Sequence, residues 1–275
     1  MLEILLGAAA FGVLAAGSFS DLKTREVPDW LSYATVFLGA GIRVLYAALT
    51  NDWHIVIDGI MGFLVALAVG LIMFYTGQWG GGDTKILVGI GTLLGFNLRL
   101  GVFFLNVVLV GAFYGLVFSF FLAITNWRKF RTGVVDFLEK SSKIRRVWFV
   151  VCFLLFCSSF IFAGFEQILV LSLVVLLIVF YYLWALVKSL ESTVMIKRMP
   201  VSKLTEGDWI VDVVKVKGKY ICGPKDLGIE KRQIKALVDA KVRYVRIKEG
   251  IPFVPSFFIA LVATYFFGNW FVFLV

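Results

Sequence analysis

Residues 55–96 read IVIDGIMGFLVALAVGLIMFYTGQWGGGDTKILVGIGTLLGF, and this stretch decides the fold class of the chain. It contains a long apolar run, the glycine turn Gly80–Gly82, and a second apolar run that begins directly after Asp83. About 20 apolar residues are enough for a helix to cross a bilayer. An ionisable residue at the edge of such a segment is costly to place there, which makes Asp83 a candidate functional residue.

The composition of the whole chain agrees with that stretch. Its 275 residues are 60% hydrophobic and 16% aromatic, with a mean hydropathy of +0.93. These values exclude an ordinary soluble domain and predict an all-α polytopic membrane protein with about eight transmembrane helices. The candidate spans are Leu2–Ser20, Trp30–Leu49, Ile55–Thr76, Thr84–Phe96, Leu100–Ile124, Val147–Ala163, Gln167–Val187 and Pro252–Val275.

The basic residues predict how these spans are oriented. The net charge of +9 lies in the loops between apolar spans, which indicates a lipid bilayer rather than nucleic acid as the partner. Of the 27 Lys and Arg residues, all but Arg43 and Arg99 fall on the same side as Asp21 and Asp83. Cytoplasmic loops are enriched in Lys and Arg, so this side is predicted to be cytoplasmic in a cell membrane, with the N-terminus outside.

The polar segment Thr193–Gly250 predicts a small cytoplasmic α+β insertion between the last two spans. Trp209–Lys215 and Lys219–Cys222 alternate like strands joined through Lys217-Gly218, and Arg243–Lys248 alternates again. Glu230–Ala240 has the spacing of an amphipathic helix. The predicted division is 1–124 as a catalytic transmembrane core, 125–146 as a basic cytoplasmic loop, 147–188 as transmembrane helices, 189–251 as the cytoplasmic domain and 252–275 as the last span.

A second carboxylate, Asp21, ends the first apolar segment and is predicted to lie on the same membrane face as Asp83. Each residue alone has a simpler interpretation: Asp83 as a helix cap, and Asp21 as a carboxylate at a helix end. Two carboxylates within hydrogen-bonding reach split their pKa values, because the first ionisation opposes the second. One ionised Asp can then activate water while the protonated partner polarises a carbonyl, which is the chemistry of a membrane aspartic protease.

Several nearby residues are candidates for supporting or substrate-binding roles, and each also has a simpler interpretation. Lys23 and Lys85 each follow an aspartate by two residues, either as membrane anchors or as charges that keep one Asp ionised. Gly80 and Gly82 are expected to permit positive φ angles and close approach of another chain segment. The remaining candidates are Glu26 and Asp29, the other carboxylates of the short loop after the first span.

Other catalytic chemistries lack the residues that they need. The one histidine, His54, lies in a predicted external loop, so no histidine base is available to activate a Ser or Thr nucleophile. The three cysteines form no CxxC pattern, so neither a metal site nor a disulfide framework is predicted. No cofactor motif is present.

The sequence Asp21-Leu22-Lys23-Thr24-Arg25-Glu26-Val27-Pro28-Asp29, followed by Gly80-Gly81-Gly82-Asp83-Thr84-Lys85, resembles the archaeal type IV prepilin peptidases, which include the preflagellin (prearchaellin) peptidases. The first stretch resembles the family's Asp on a cytoplasmic loop, and the second resembles its GxGD motif. The stretch Lys248–Pro255 also resembles one found late in archaeal members. Asp29 stands where many members have Asn.

This resemblance implies a cofactor-free aspartic endopeptidase that removes short basic leaders from prepilins or preflagellins at the cytoplasmic membrane face. Asp21 and Asp83 would be its catalytic pair. A presenilin-like intramembrane GxGD protease is an alternative, although the Tyr-Asp and Pro-Ala-Leu motifs of that class are missing. A transporter is a further alternative, but it would place ionisable residues near mid-membrane.

Overall fold

A computed structural model describes residues 1–216 and 218–267 of the chain. The predicted turn residue Lys217 and the last eight residues of the expected span Pro252–Val275 lie outside the described residues. The described chain is mostly helical and carries one compact group of strands near its C-terminal end. Its ten α-helices are α1 (Leu2–Thr24), α2 (Asp29–Thr50), α3 (His54–Tyr75), α4 (Gly81–Leu94), α5 (Leu98–Thr125), α6 (Trp127–Lys140), α7 (Ser142–Ser158), α8 (Phe165–Ser189), α9 (Lys231–Asp239) and α10 (Val254–Phe266).

Six of these helices are long and apolar enough to cross a membrane: α1, α2, α3, α5, α7 and α8. The other two expected spans are shorter, because α4 has 14 residues and the described part of α10 has 13. At 1.5 Å per residue they measure about 20 Å, less than the roughly 30 Å of a hydrocarbon core. The expectation of about eight full spans is therefore supported for six, and the fourth segment is short as its sequence suggested.

Helix α4 lies at the centre of the packing around the N-terminal spans. Every residue from Ile86 to Leu94 is buried. Helix α3 approaches α4 closely through small residues: a Cβ built on Gly62 would lie only 2.3 Å from the carbonyl oxygen of Gly91. Small residues allow helix backbones to pack closely inside a membrane, where burial of apolar surface gives little driving force. This packing fixes α4 between its neighbours.

The C-terminal end of α4 is held by Arg43 of α2, which is only 4% exposed. Its Nε donates to the carbonyl of Thr92 at 2.9 Å, and its Nη2 donates to that of Leu93 at 3.0 Å. Its Nη1 forms an ion pair with Asp58 of α3 at 3.1 Å. The last carbonyls of a helix have no partners within the helix, so Arg43 satisfies groups that would otherwise be buried unpaired. Sequence analysis placed Arg43 on this side without assigning it a role.

The segment 125–146, expected to be a basic loop, contains the helix α6. Phe137 of α6 packs edge-on against Trp184 of α8, with ring centroids 5.0 Å apart. A Cβ on Gly133 would lie 2.7 Å from the Ser189 carbonyl, so the apolar side of α6 rests on α8. The helix forms because apolar residues recur at helical spacing between the basic ones.

The predicted α+β insertion is present as two small antiparallel sheets and α9. Strands β1 (Ile196–Pro200), β2 (Trp209–Ile210) and β5 (Tyr244–Lys248) form one sheet in the order β1-β5-β2. Strands β3 (Val214–Val216) and β4 (Lys219–Cys222) form the other. The expected single strand Trp209–Lys215 is wrong: it divides after Ile210, where Arg246 of β5 forms an ion pair with Asp212. Strand β1 was missed because no turn signal precedes it.

Candidate active site

Asp21 lies in the last turns of α1 and is only 6% exposed. Its Oδ2 accepts a hydrogen bond from the backbone N–H of Val254, the first residue of α10, at 3.0 Å. The positive end of a helix dipole favours a carboxylate in this position. Arg25, four residues further along, is close enough for its charge to act on Asp21. Residues separated by 233 positions in the chain are thus joined at this site.

Asp83 occupies the first turn of α4 and is half-buried. Its Oδ2 accepts the backbone N–H of Gly80 at 3.0 Å, so the carboxylate does satisfy one free amide at the helix start. The capping interpretation of Asp83 is therefore partly correct. It accounts for only one of the carboxylate's lone pairs, and it leaves the second carboxylate oxygen available for other contacts.

The two aspartates share one site because α1 and α4 pack together. A Cβ on Gly17 would lie 2.6 Å from Cδ1 of Ile86, which shows how closely the two helices approach one turn away from the carboxylates. The charge of Asp21 acts on Asp83. It also acts on Tyr114 of α5, which sequence analysis did not identify. The structure therefore brings together the residue pair on which the aspartic protease hypothesis depends.

The glycine turn before Asp83 behaves differently from expectation in one respect. Gly80 has φ −75° and ψ 167°, and none of Gly80–Gly82 adopts a positive φ; the nearby residue that does is Gly77, at +69°. Close approach, the other expectation, is present at Gly82. A Cβ there would lie 3.3 Å from Cβ of Val27. Gly82 thus lets the turn before α4 pack against the loop that follows Asp21.

Lys85 and Asp29 contact each other, at a Nζ to Oδ1 distance of 2.6 Å. Both side chains are largely exposed, and Lys85 also lies over the ring of Tyr33. The ammonium of Lys85 is therefore engaged by Asp29 rather than by either dyad carboxylate. The other flanking lysine, Lys23, lies over the ring of Phe19, 5.9 Å from its centroid. These positions favour anchoring roles for both lysines.

Glu26, in the short loop after α1, lies close to acidic residues of the α+β insertion. Burial raises the pKa of Asp208, and the charges of Glu26 and Glu249 raise it further. Asp208 and Glu249 belong to the insertion, so the fold brings three carboxylates from distant parts of the sequence near one another. The exposed Glu26 is held in place through its backbone carbonyl, which accepts the hydroxyl of Ser20 at 2.9 Å.

The start of α10 is the part of the site that sequence reasoning missed. Trp79, which precedes the glycine turn, packs against Phe253 and Phe257, with centroid distances of 5.9 and 5.2 Å. The first turn of α10 also supplies the backbone N–H of Val254, which donates to Asp21. Both aspartate-bearing segments therefore contact the first turn of α10. The available signal was the Pro252-Phe253-Val254-Pro255 stretch, because Pro is common at helix starts.

Comparison with known proteins places this site in a matched segment. The sequence model of the Type IV leader peptidase family matches residues 8–116, which include Asp21 and Asp83. A preflagellin peptidase of Methanocaldococcus jannaschii is 36% identical over 94 residues. Preflagellin peptidases of Methanococcus maripaludis and Methanococcus voltae are 35% and 32% identical over 95 and 83 residues.

These similarities cover a limited part of each chain. The match to the M. jannaschii protein covers 34% of this chain and 38% of that relative. The matches to the M. maripaludis and M. voltae proteins cover 34% and 30% of this chain and 39% and 35% of those relatives. No solved structure matches.

Proposed function

We propose that this chain is a membrane aspartic endopeptidase, because residues 8–116 match the sequence model of the type IV leader peptidase family. It cleaves short leader peptides at the cytoplasmic membrane face, using Asp21 and Asp83 to activate water. The observation that carries the proposal is the buried carboxylate of Asp21, held at the start of α10 beside a second carboxylate on α4. Placing a buried carboxylate beside a second one costs free energy of folding. Such a pair is therefore more typical of a functional site than of a purely structural one.

The proposed reaction assigns different roles to the two aspartates. Asp21 is the ionised member, because it accepts the Val254 N–H at a helix N-terminus and lies near the charge of Arg25. Asp83 carries the proton, because a second negative charge beside Asp21 is disfavoured. Asp21 removes a proton from the attacking water while Asp83 donates a hydrogen bond to the scissile carbonyl oxygen. The site needs no cofactor for this chemistry.

The proposed substrates are preflagellins or prepilins, by analogy with the matched relatives. Leaders in this family are basic just before the cut, and the carboxylates of Glu26 and Asp208 have the charge to attract them, whereas Glu249 is paired with Lys197. Attraction of this kind chiefly affects the specificity and the rate of association.

Replacement of either aspartate by asparagine tests the assignment. We expect Asp21→Asn and Asp83→Asn each to lower leader cleavage by more than about 100-fold, and the double variant to be little worse, because the two groups act as a unit. The assay measures release of the leader from a preflagellin and from a prepilin by protein reconstituted in liposomes. Near-normal cleavage by either single variant would refute the dyad.

Asp29→Asn is the matched control, because it removes a carboxylate at the start of α2 that is bound to Lys85 instead. We expect this variant to retain most activity. Thermal unfolding of all four proteins in detergent checks that a loss of cleavage does not come from a loss of folding.

A further inference from the structure

A groove between α7 and α8 lies apart from the aspartate site. Its cavity volume is about 380 Å³, and the groove is open at the surface of the protein. One lysine and six apolar residues line it: Lys143, Ile144, Val147, Trp148, Val151, Cys152 and Leu177. All but Leu177 belong to the first turns of α7. The groove is thus a strip of apolar wall with a single cation at one end.

The position of that cation corresponds to the membrane surface. Helix α6 is amphipathic and basic, as expected of a helix lying at the interface, and it ends at Lys140, directly before the start of α7. Lys143 lies in the first turn of α7, next to α6, so we expect it at the level where headgroups meet the hydrocarbon. From Lys143 to Cys152 the helix rises by about 14 Å, close to half of a roughly 30 Å hydrocarbon core. The groove therefore has the depth of one leaflet.

The charge at the mouth is not neutralised by the protein. Lys140, Lys143, Arg145 and Arg146 stand within seven positions of one another. Within residues 1–216 and 218–267, none of these four cations lies within 4.0 Å of a carboxylate oxygen. Basic clusters between spans on the cytoplasmic side attract anionic headgroups.

The apolar wall of the groove is held in place by its own contacts. Nε1 of Trp148 donates a hydrogen bond to the backbone carbonyl of Leu177 at 3.1 Å, which joins α7 to α8 across the groove floor. The indole also stacks near Phe180, at a centroid distance of 6.4 Å. A site whose walls are already ordered loses less entropy when a ligand binds.

We propose that this groove binds one chain of an anionic phospholipid, with the headgroup phosphate on Lys143. The cation at the membrane surface selects the negative headgroup, and the apolar strip below it accepts the hydrocarbon chain. A basic leader peptide is unsuited to this site because Lys143 would repel it. The inference is independent of the proposed peptidase activity, since no residue of the groove belongs to the aspartate site.

The test is lipid retention by the purified full-length protein in detergent, counted by native mass spectrometry. The probes are phosphatidylglycerol and phosphatidylcholine with identical chains. We expect one phosphatidylglycerol to be retained several-fold more strongly than phosphatidylcholine, and Lys143→Gln to remove that preference. Val151→Trp fills the groove and is expected to abolish retention of both lipids. Equal retention of the two lipids by the native protein would overturn the proposal.

Two matched variants control for general effects. Lys129→Gln removes an exposed cation of α6 that does not line the groove, and Val150→Trp adds the same bulk at an exposed position of α7 outside it. Both are expected to retain phosphatidylglycerol as the native protein does. Loss of retention in these controls, or unchanged retention in Lys143→Gln, would refute the site. Displacement of the lipid by inorganic phosphate at millimolar concentration would instead show a site for a free anion, and would also refute the proposal.

Discussion

Gly82 illustrates how a single missing side chain supports the geometry of the site. Its φ is unremarkable, but the space where its Cβ would stand borders Val27 at 3.3 Å. We expect Gly82→Val to reduce leader cleavage by about 10-fold or more, because overpacking here displaces the turn that carries Asp83. Gly81→Val is the control, since a Cβ on Gly81 meets only Phe74, at an ordinary 3.9 Å. Equal activity of both variants in the cleavage assay would show that the contact with Val27 has no catalytic importance.

Glu26 is the residue through which we expect leader charge to be recognised. Its charge belongs to the surface that also contains Asp208, whereas Asp29 already has Lys85 as its partner. A charge pair at a wet membrane boundary is worth about 1 kcal/mol, which is several-fold in rate. Glu26→Lys should therefore lower kcat/KM several-fold for a basic leader relative to a matched acidic one. Asp29→Lys should change that ratio less; a larger change there would reverse the assignment.

At the scale of elements, α4 depends on the side chain that holds its far end. Arg43→Met would remove the donors to the carbonyls of Thr92 and Leu93 and the ion pair with the partly exposed Asp58. Each buried acceptor left unsatisfied costs about 1–3 kcal/mol. We expect a clear fall in the unfolding temperature in detergent, with Arg43→Lys intermediate because one ammonium reaches fewer acceptors. Arg99→Met removes the more exposed pair with Glu3 and should change that temperature little. Similar losses in Arg43→Met and Arg99→Met would argue against this role.

The elements differ in how well the sequence predicts them. Long apolar runs such as α3 and α5 are evident because hydropathy alone specifies them, and α9 is evident from its spacing. Strands β2 and β3 were merged because alternation does not reveal which partner each strand pairs with. The two aspartates were identified from the sequence because a carboxylate at a membrane boundary is unfavourable in free energy. The contribution of Val254 was not, because it is a backbone group, and only the fold shows where a backbone N–H points.

At the scale of the molecule, the orientation predicted from the basic residues can be measured. Lys225 is exposed in the α+β insertion, which is predicted to be cytoplasmic, and His54 is exposed at the opposite end of the spans. We expect Lys225→Cys to resist, and His54→Cys to react with, an impermeant thiol reagent added to intact cells, in a background where the exposed Cys157 is replaced. Labelling of Lys225→Cys from outside would show that the topology is opposite to the predicted one.

The native Cys222 is expected to contribute little to the labelling in that experiment. It is fully buried, and burial together with the charge of Asp226 raises the pKa of its thiol to about 11. The reactive species is the thiolate, so this cysteine reacts slowly while the domain is folded. Rapid modification of Cys222 in permeabilised cells would indicate that the insertion is unfolded there.

The hydrogen bond from Val254 to Asp21 joins residues that are synthesised at very different times. Asp21 leaves the ribosome among the first residues, and its partner follows 233 residues later, after the other spans and the α+β insertion. A nascent chain already contains both aspartates while its first helix still lacks this support. We therefore expect Asp21 to reach the environment described above only after α10 has been made and has packed against α1.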